Sequence, residues 1–185
     1  MHTHIIGIDG RSGAGKTGLA ALLAAALSAD QRCSVLAMED LYPGWHGLRD
    51  GITTAAMTLM RYRADGTATY PVWDWHRGRW GAARDLAAAD VLIVEGVGAL
   101  AARIRPFLDT GIYCDADDAT RWERVHGRDG PSVQDWWQTW AGAEDAYLRR
   151  DDRRDQGADR GARRRTRQPA LGPAQVFRVA PATVG

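Results

Sequence analysis

The chain has 185 residues, with 24 Lys and Arg against 23 Asp and Glu, and a formal net charge of +1. This length can bury one good hydrophobic core and suits one domain better than two. A charge near zero gives no global field that would favour nucleic acid or an anionic membrane as a partner, and no stretch of the sequence is apolar over enough residues to span a membrane.

The first motif along the chain is a phosphate-binding loop. Residues 10–17 (GRSGAGKT) fit the pattern G-x-x-x-x-G-K-[ST]. The apolar run His4–Asp9 before the loop predicts a buried strand, and residues 18–27 after it predict a helix. A strand, loop and helix in this order aim backbone N–H groups at an anion, which predicts an ATP or GTP site. The residues expected to bind the nucleotide are Gly10, Ser12, Gly13, Ala14, Gly15, Lys16, Thr17 and Gly18.

Lys16 is the only lysine of the sequence, because arginine supplies every other permanently basic side chain. Its position therefore indicates a task that a guanidinium group does not perform. A compact ammonium group on a flexible stem can lie along the loop and reach the β- and γ-phosphates, where a planar guanidinium group fits poorly. We predict that Lys16 is catalytic.

The region after the loop bears on the location of the protein. Basic residues followed by the apolar residues 19–29 resemble a secretory signal peptide, but cleavage there would discard the phosphate loop. Cys33 and Cys114 lack metal-ligand spacing, and we expect both to be free thiols in a reducing compartment. These features predict a cytoplasmic protein.

The later elements alternate between strand and helix. Apolar runs predict strands at residues 34–38, 91–94 and 111–114, and composition predicts helices at residues 48–63, 117–126 and 132–148. Asp117 or Asp118 is expected near the N-terminus of one helix, and Ser132 is expected to cap the last. Short strands separated by helices predict an α/β fold with a parallel sheet flanked by helices. Together with the phosphate loop at residues 10–17, this order resembles the three-layer P-loop NTPase fold.

Carboxylates follow the predicted strands, where parallel sheets bind their ligands. These carboxylates are Asp9, Glu39, Glu95 and Asp115. Phosphoryl transfer requires Mg²⁺, a base for the acceptor and cations on the transferred group. The Thr17 hydroxyl and the Glu95 carboxylate are the predicted Mg²⁺ ligands. Either Glu39 or Asp40 could take the acceptor's proton, whereas Asp9 is expected to order the loop.

Three arginines are the predicted cations. Arg121, Arg124 and Arg128 are spaced by three and four residues, which places them along one helix face. Residues 129–131 (DGP) follow as a flexible break. A helix, a break and a second helix predict a mobile lid at about residues 121–149 that closes over ATP, expels water and neutralises charge on the phosphoryl group.

Five segments together carry a family resemblance. They are residues 7–17 (GIDGRSGAGKT), 39–42 (EDLY), 73–75 (WDW), 94–97 (VEGV) and 115–121 (DADDATR). Their combination and order over residues 5–147 resemble the uridine kinase branch of the P-loop kinases. The phosphate loop alone is shared by many families, whereas this combination is far more specific.

The resemblance implies a kinase that transfers the γ-phosphoryl group of ATP to a nucleoside hydroxyl. Glu39 falls on the family's catalytic carboxylate in D-x-F-Y, although the adjacent Asp40 keeps two candidates for the base. Glu95 falls on the metal carboxylate, and the lid arginines fall on Arg121, Arg124 and Arg128. The WDW segment falls on a Y-D-F segment that holds the nucleoside. The predicted acceptor-binding residues are Tyr42, Trp45, Trp73, Asp74, Trp75, His76 and Arg77.

The chain has eight tryptophans, and they fall into two groups. Four lie in extended segments beside the proposed acceptor site, where they either stack on a planar base or close the core beneath it. The other four are expected to pack between helices. The first group is Trp45, Trp73, Trp75 and Trp80, and the second is Trp122, Trp136, Trp137 and Trp140.

The C-terminal segment departs from the family. We predict a kinase domain at residues 1–156 and a basic tail at residues 157–185. Residues 175–180 could supply a displaced final strand, and the tail is otherwise expected to be disordered.

The sequence therefore predicts a cytoplasmic, Mg·ATP-dependent kinase of a small-molecule hydroxyl, with a nucleoside as the first candidate. One alternative is a nucleoside monophosphate kinase, which needs acceptor-side arginines such as Arg77 or Arg79. Another is a switch protein that hydrolyses ATP slowly to drive a conformational change. The carboxylates at residues 39–40 and the Trp-rich acceptor region favour a kinase.

Overall fold

The structure is a computed structural model that describes residues 2–161 and 175–179, with side chains described for residues 2–151. Its strands are, in chain order, β1 (His4–Asp9), β2 (Cys33–Ala37), β3 (Ala68–Tyr70), β4 (Trp73–Asp74), β5 (Arg79–Trp80), β6 (Arg84–Leu86), β7 (Val91–Glu95), β8 (Thr110–Cys114) and β9 (Gln175–Val179). Its helices are α1 (Lys16–Leu27), α2 (Leu48–Asp65), α3 (Asp118–Asp129) and α4 (Val133–Gly161). Single turns of 3₁₀ helix cover Met38–Leu41, Arg105–Phe107 and Gly130–Ser132.

Five strands form one parallel sheet in the order β2-β7-β1-β8-β9. Ile6 of β1, for example, lies opposite Ile93 of β7 and Thr110 of β8. The predicted parallel sheet is confirmed, and helices flank it on both faces. Since β1 is the central strand, the loop that follows it opens at the middle of the sheet's carboxyl edge.

The two faces of the sheet pack against different helices. Ile5 on β1 and Leu92 on β7 belong to one buried cluster, which α2, α3 and α4 cover. Their neighbours Ile6 and Ile93 point to the opposite face and pack with Ala20 of α1. Successive strand residues point to opposite faces, so strands buried on both sides are apolar throughout. This is why the runs in β1 and β7 have no polar alternation.

The two carboxylates after β2 lie in a short turn that comes before the next helix. Residues 38–41 form the short 3₁₀ turn that presents Glu39 and Asp40, and α2 follows from Leu48. Gly51 is a poor helix former within α2. A Cβ at this position would collide with the ring of Tyr42. Glycine is therefore required for the close packing of α2 on Tyr42.

The predicted helix–break–helix is present. Asp117 caps α3 by accepting a hydrogen bond of 2.9 Å from the Thr120 N–H, and Gly130 with a φ of 67° interrupts the helices. Ser132, the predicted cap, directly precedes α4, and its hydroxyl donates to the Asp129 carbonyl at 2.9 Å. Helix α4 also extends well past Leu148, to Gly161.

The C-terminal strand lies at the edge of the sheet. Strand β9 pairs in parallel with β8, from Thr110 opposite Gln175 to Cys114 opposite Val179. Helix α4 runs through the predicted domain boundary between residues 156 and 157, and that boundary stays a prediction. The predicted disorder of the tail falls on residues 162–174 and 180–185, which lie outside the described residues.

Candidate active site

A cavity of about 800 Å³ opens at the carboxyl edge of the sheet. It brings together side chains from four separate parts of the predicted site: the phosphate loop, the turn after β2, the end of β7 and the lid helices. Its lining includes Ser12, Gly13, Gly15, Lys16, Thr17, Gly18, Glu39, Tyr42, Trp45, Trp75, Glu95, Arg124 and Arg128. Gly10 and Ala14 belong to the loop itself, although they do not line the cavity.

The phosphate loop is held open by glycines with positive φ and by close backbone packing. Gly13 has a φ of 82°, and a Cβ there would collide with the backbone of Arg121. Gly15, with a φ of 96°, occupies the N-cap position of α1. The loop therefore meets the N-terminus of a twelve-residue helix, where backbone N–H groups and the helix dipole favour an anion.

Lys16 lies along the loop. Its side chain is mostly buried, and its Nζ donates to the Arg11 carbonyl at 3.1 Å. Burial lowers the pKa of the Lys16 ammonium, while the carboxylates of Asp9, Glu144 and Glu95 act in the opposite direction. Among the described side chains no carboxylate bonds directly to this ammonium, so an incoming polyphosphate would supply a charge that favours its protonated form.

Asp9 orders the loop, as the sequence predicts. Its carboxylate is buried and accepts hydrogen bonds from the Gly10 N–H at 2.6 Å, the Gly98 N–H at 2.9 Å and the Leu100 N–H at 2.9 Å. The Tyr147 hydroxyl donates a fourth, at 2.7 Å. Burial raises the pKa of Asp9 despite these donors. The carboxylate thus ties the loop after β7 and helix α4 to the start of the phosphate loop.

The side chains of Thr17 and Glu95 lie next to each other in the cavity. The Thr17 Oγ1 lies 3.4 Å from each carboxylate oxygen of Glu95. Burial raises the pKa of Glu95, and the ammonium of Lys16 opposes that shift. Over residues 2–161 and 175–179 no group of three or more His, Cys, Asp or Glu could hold a metal. One carboxylate and one hydroxyl nevertheless fit Mg²⁺, which takes few protein ligands and completes its shell with phosphates and water.

The two candidate bases have different surroundings. Glu39 lines the cavity and is exposed. Asp40 instead forms an ion pair of 2.7 Å with Arg84 on β6 and does not line the cavity. Burial raises the pKa of Asp40, and Arg84 works against that rise. The geometry therefore favours Glu39 over Asp40 as the group that meets an acceptor.

The three predicted lid arginines do not share one environment. Arg124 lines the cavity and donates to the Gly13 carbonyl at 3.2 Å. Arg128 also lines it, while paired with Asp129 at 2.6 Å. Arg121 is buried behind the loop, where it donates to the Ser12 carbonyl at 3.1 Å, and it does not line the cavity.

Helix α4 contacts the phosphate loop directly. The Glu144 carboxylate accepts hydrogen bonds from the Ser12 N–H at 2.7 Å and from the Trp140 Nε1 at 2.9 Å, and Arg11 donates to it at 3.2 Å. Arg11 also forms an ion pair with Asp145. The second helix of the predicted lid is therefore attached to the loop by a charged, buried network.

An aromatic wall lines one side of the cavity. Trp45 stacks on Trp136 with ring centroids 4.1 Å apart and an interplanar angle of 1°, and it contacts Trp75 on its other side at 4.5 Å. The Trp75 Nε1 donates to the Glu39 carbonyl at 3.1 Å. Tyr42 donates its hydroxyl to the Val97 carbonyl at 2.6 Å. The wall therefore stands next to the backbone of the candidate base.

Four predicted acceptor residues lie outside the cavity, on the β4–β5 hairpin. Trp73 packs edge-on against Trp80 at 5.2 Å. Asp74 accepts hydrogen bonds from the backbone N–H groups of His76 at 3.1 Å and Arg77 at 3.0 Å, so it caps the hairpin turn. Of the segment WDWHR at residues 73–77, the structure brings only Trp75 to the cavity.

Sequence reasoning missed three site residues on α4. Trp136 and Trp140 line the cavity, and Glu144 holds the loop. Two successive intervals of four residues separate them, which places all three on one face of a helix. The sequence shows that these two tryptophans and the carboxylate share one helix face. It does not show that this face meets the phosphate loop.

The fold is similar to solved structures of small-molecule kinases. A protein described as a possible uridine kinase from Bacillus stearothermophilus superposes with a TM-score of 0.60 and 22% identity, over 96% of this chain and 89% of that one. A protein described as a fructose transport system kinase from a Silicibacter species superposes with a TM-score of 0.60 and 19% identity, over 77% of this chain and 79% of that one. D-glycerate 3-kinase from Cryptococcus neoformans superposes with a TM-score of 0.54 and 11% identity, over 78% of this chain and 77% of that one.

No protein-family model matches the chain, and no curated protein matches it. The similarity to these solved structures shows the P-loop kinase fold. Within the part of the chain that the structure describes, no helix has both the length and the apolar composition to cross a membrane.

Proposed function

We propose that the protein is a Mg·ATP-dependent kinase that transfers the γ-phosphoryl group to a hydroxyl of a small molecule, with a nucleoside as its acceptor. The observation that carries the proposal is one cavity lined by Lys16 and Thr17 of the phosphate loop, by Glu95, by Glu39 and by four indole rings. The proposal places the enzyme in the cytoplasm, with ATP as the donor ahead of GTP.

The residues divide the chemistry between them. Lys16, Arg124 and the loop N–H groups bind the phosphates and neutralise charge that develops on the transferred group. Thr17 and Glu95 would hold Mg²⁺, which would offset the charge of the phosphates. Glu39 takes the proton of the acceptor hydroxyl as that oxygen forms its bond to the γ-phosphorus. The bond between the γ-phosphorus and the β–γ bridging oxygen breaks, and ADP leaves with that oxygen.

The aromatic wall supports a planar acceptor. Trp75 and Trp136 both face the cavity, and base–aromatic stacking is worth about 1–3 kcal/mol per base in nucleic-acid binders. The nucleoside monophosphate kinase alternative needs arginines on the acceptor side. Among the described residues, Arg77 and Arg79 lie on the β4–β5 hairpin and do not line the cavity, which favours a hydroxyl acceptor over a phosphate acceptor.

A screen of purified protein against a library of hydroxyl compounds tests the proposal, with acceptor-stimulated ADP release as the measurement. We expect nucleosides to stimulate release and their 5′-monophosphates to do so much less. Lys16→Ala serves as the inactive control and establishes that the ADP comes from this site. Slow ATP hydrolysis that no acceptor stimulates would support the switch protein instead.

A further inference from the structure

A second cavity, of about 410 Å³, lies between α2, the loop after β7 and α4. No residue lines both this cavity and the nucleotide cavity. Tyr42 and Trp140, whose rings are 5.1 Å apart, line only the nucleotide cavity, and Leu48 and Tyr147 line only the second one. The second cavity is therefore a distinct concave surface that the proposed phosphoryl transfer does not use.

Three arginines converge on this cavity from three different elements. Arg49 comes from α2, Arg103 from the loop after β7 and Arg150 from α4. All three are exposed, and among residues 2–151 none of their guanidinium groups has a hydrogen-bond or ion-pair partner. Most arginines that line or support the nucleotide cavity, in contrast, do have such a partner. Arg128, for example, pairs with Asp129. This convergence of unpaired cations indicates an anion as the missing partner.

One carboxylate, that of Asp151, lines the same cavity. Asp151 accepts hydrogen bonds from Arg105 at 2.9 Å and from the Ala102 N–H at 3.1 Å. The side chains that line the cavity therefore include three arginines, Arg49, Arg103 and Arg150, and one carboxylate, which Arg105 contacts. Guanidinium groups bind phosphate and carboxylate oxygens in a forked geometry that lysine does not provide.

The floor of the cavity is apolar. Leu48, Ile52 and Ala101 are buried and line it, together with Ala143 on the opposite wall. Small-molecule sites combine an apolar lining with a few converging polar groups that fix the ligand's orientation. The cavity thus matches a ligand with an apolar body on this floor and an anionic group among the arginines.

The cavity is connected to the phosphate loop. Tyr147 lines it, and the Tyr147 hydroxyl donates to Asp9, whose other oxygen accepts from the Gly10 N–H. An occupant that moves Tyr147 would therefore act on the first residue of the loop through a single carboxylate. We infer that this cavity is a second, non-catalytic binding site for a small organic anion that carries a phosphate or carboxylate group on an apolar body.

Calorimetric titration of phenyl phosphate into the protein tests this inference, after the nucleotide cavity has been saturated with a non-hydrolysable ATP analogue and Mg²⁺. We expect saturable binding of phenyl phosphate, weaker or comparable binding of benzoate, and none of neutral benzyl alcohol. The ratio between the two anions then tells a phosphate site from a carboxylate site. Substituting the three arginines together, R49Q/R103Q/R150Q, should raise the dissociation constant of the better anion at least tenfold.

Arg61→Gln is the matched control, because Arg61 is also exposed on α2 but does not line the cavity. It should leave the dissociation constant unchanged. The inference is wrong if neither anion binds to the nucleotide-saturated protein, or if binding vanishes once the nucleotide analogue is added. Equal loss in Arg61→Gln and in the triple variant would reduce the binding to non-specific attraction and would also overturn it. None of these readouts depends on phosphoryl transfer.

Discussion

The carboxylate of Glu144 accepts a hydrogen bond of 2.7 Å from the backbone N–H of Ser12, across 132 positions of sequence. Its side chain is buried, and the donors around it include Trp140 and Arg11. A buried carboxylate is tolerated only when such donors replace its water. The contact joins α4 to the third residue of the phosphate loop, so the shape of the loop depends on a helix that follows it by more than 100 residues.

Glu144→Gln should lower the free energy of unfolding by about 3–5 kcal/mol, because removing one partner of a buried charge network leaves the others unsatisfied. Urea unfolding at pH 7 without nucleotide measures this loss. Asp145→Asn is the matched control, since Asp145 is the neighbouring partner of Arg11 but is 46% exposed. That substitution should cost less than about 1 kcal/mol. Equal losses in the two variants would contradict a special role for the buried carboxylate.

Lys16→Arg and Lys16→Met should both abolish detectable phosphoryl transfer. The ammonium is mostly buried and lies against the Arg11 carbonyl, where the larger guanidinium group cannot take its place. Since burial lowers the pKa of Lys16, its charge is not stabilising the empty protein. Lys16→Met should therefore melt at the same temperature as the parent protein or higher, as differential scanning calorimetry would show. Near-normal turnover in Lys16→Arg would contradict a requirement for lysine.

Glu39→Gln should reduce kcat by about 10²–10⁴-fold, the usual cost of removing a positioned acid–base group, with the affinity for ATP little changed. Asp40→Asn should cost less, because Asp40 is held by Arg84 outside the cavity. Arg84→Gln is the control that removes the same ion pair from the other side, and it should behave like Asp40→Asn. A larger loss in Asp40→Asn than in Glu39→Gln would move the base to Asp40.

Acid stability should depend on Asp109. Burial disfavours its charge, but the Ile5 N–H at 2.7 Å and Arg63 at 2.6 Å outweigh burial and lower the pKa of Asp109. A lowered pKa in the folded state gives stability that is present above the unfolded pKa of about 3.9 and is lost as pH falls through the folded value. Urea unfolding from pH 7 to pH 2 should show this loss.

Asp109→Asn should lower the free energy of unfolding at pH 7 and flatten its decline below about pH 4. Asp65→Asn, at an exposed position at the end of α2, should leave the acid limb as steep as in the parent protein. A parent-like acid limb in Asp109→Asn would mean that other carboxylates govern acid unfolding.

The sheet and its ligand edge could be predicted from the sequence because local patterns determine them. The apolar runs of β1 and β7 are long enough to be buried on both faces, and GRSGAGKT at residues 10–17 has few structural alternatives. The fold of the loop, the alternation of strands and helices, and the placing of Glu95 opposite Thr17 all follow from such segments.

The parts of the site that the sequence does not place share one physical cause, which is dependence on distant partners. The WDW segment predicts an acceptor site, but hairpin pairing of β4 with β5 points only Trp75 to the cavity. Arg121 fits a lid pattern, but its burial against Ser12 depends on how α3 packs. Glu144 carries no motif at all, and its role appears only once α4 reaches the phosphate loop.

The aromatic wall makes a further prediction about the acceptor. Trp45 lies between Trp75 and Trp136, so a planar base that stacks there must change the surroundings of at least two indole rings. Adding a nucleoside to protein saturated with a non-hydrolysable ATP analogue should quench tryptophan emission. The protein with the analogue alone is the baseline, because closure of the predicted lid would also alter emission through Trp122 and Trp140.

Trp75→Ala should remove much of that quench and raise the KM for the acceptor by about 5- to 150-fold, which corresponds to a stacking energy of about 1–3 kcal/mol. Trp75→Phe keeps an aromatic face but loses the hydrogen bond to the Glu39 carbonyl, so it separates stacking from positioning of the base. Trp80→Ala is the control, since Trp80 is exposed, packs on Trp73 and does not line the cavity. A parent-like KM in Trp75→Ala, together with saturable acceptor binding and unchanged emission, would assign the indole cluster to core packing and leave the acceptor side of the cavity to other groups.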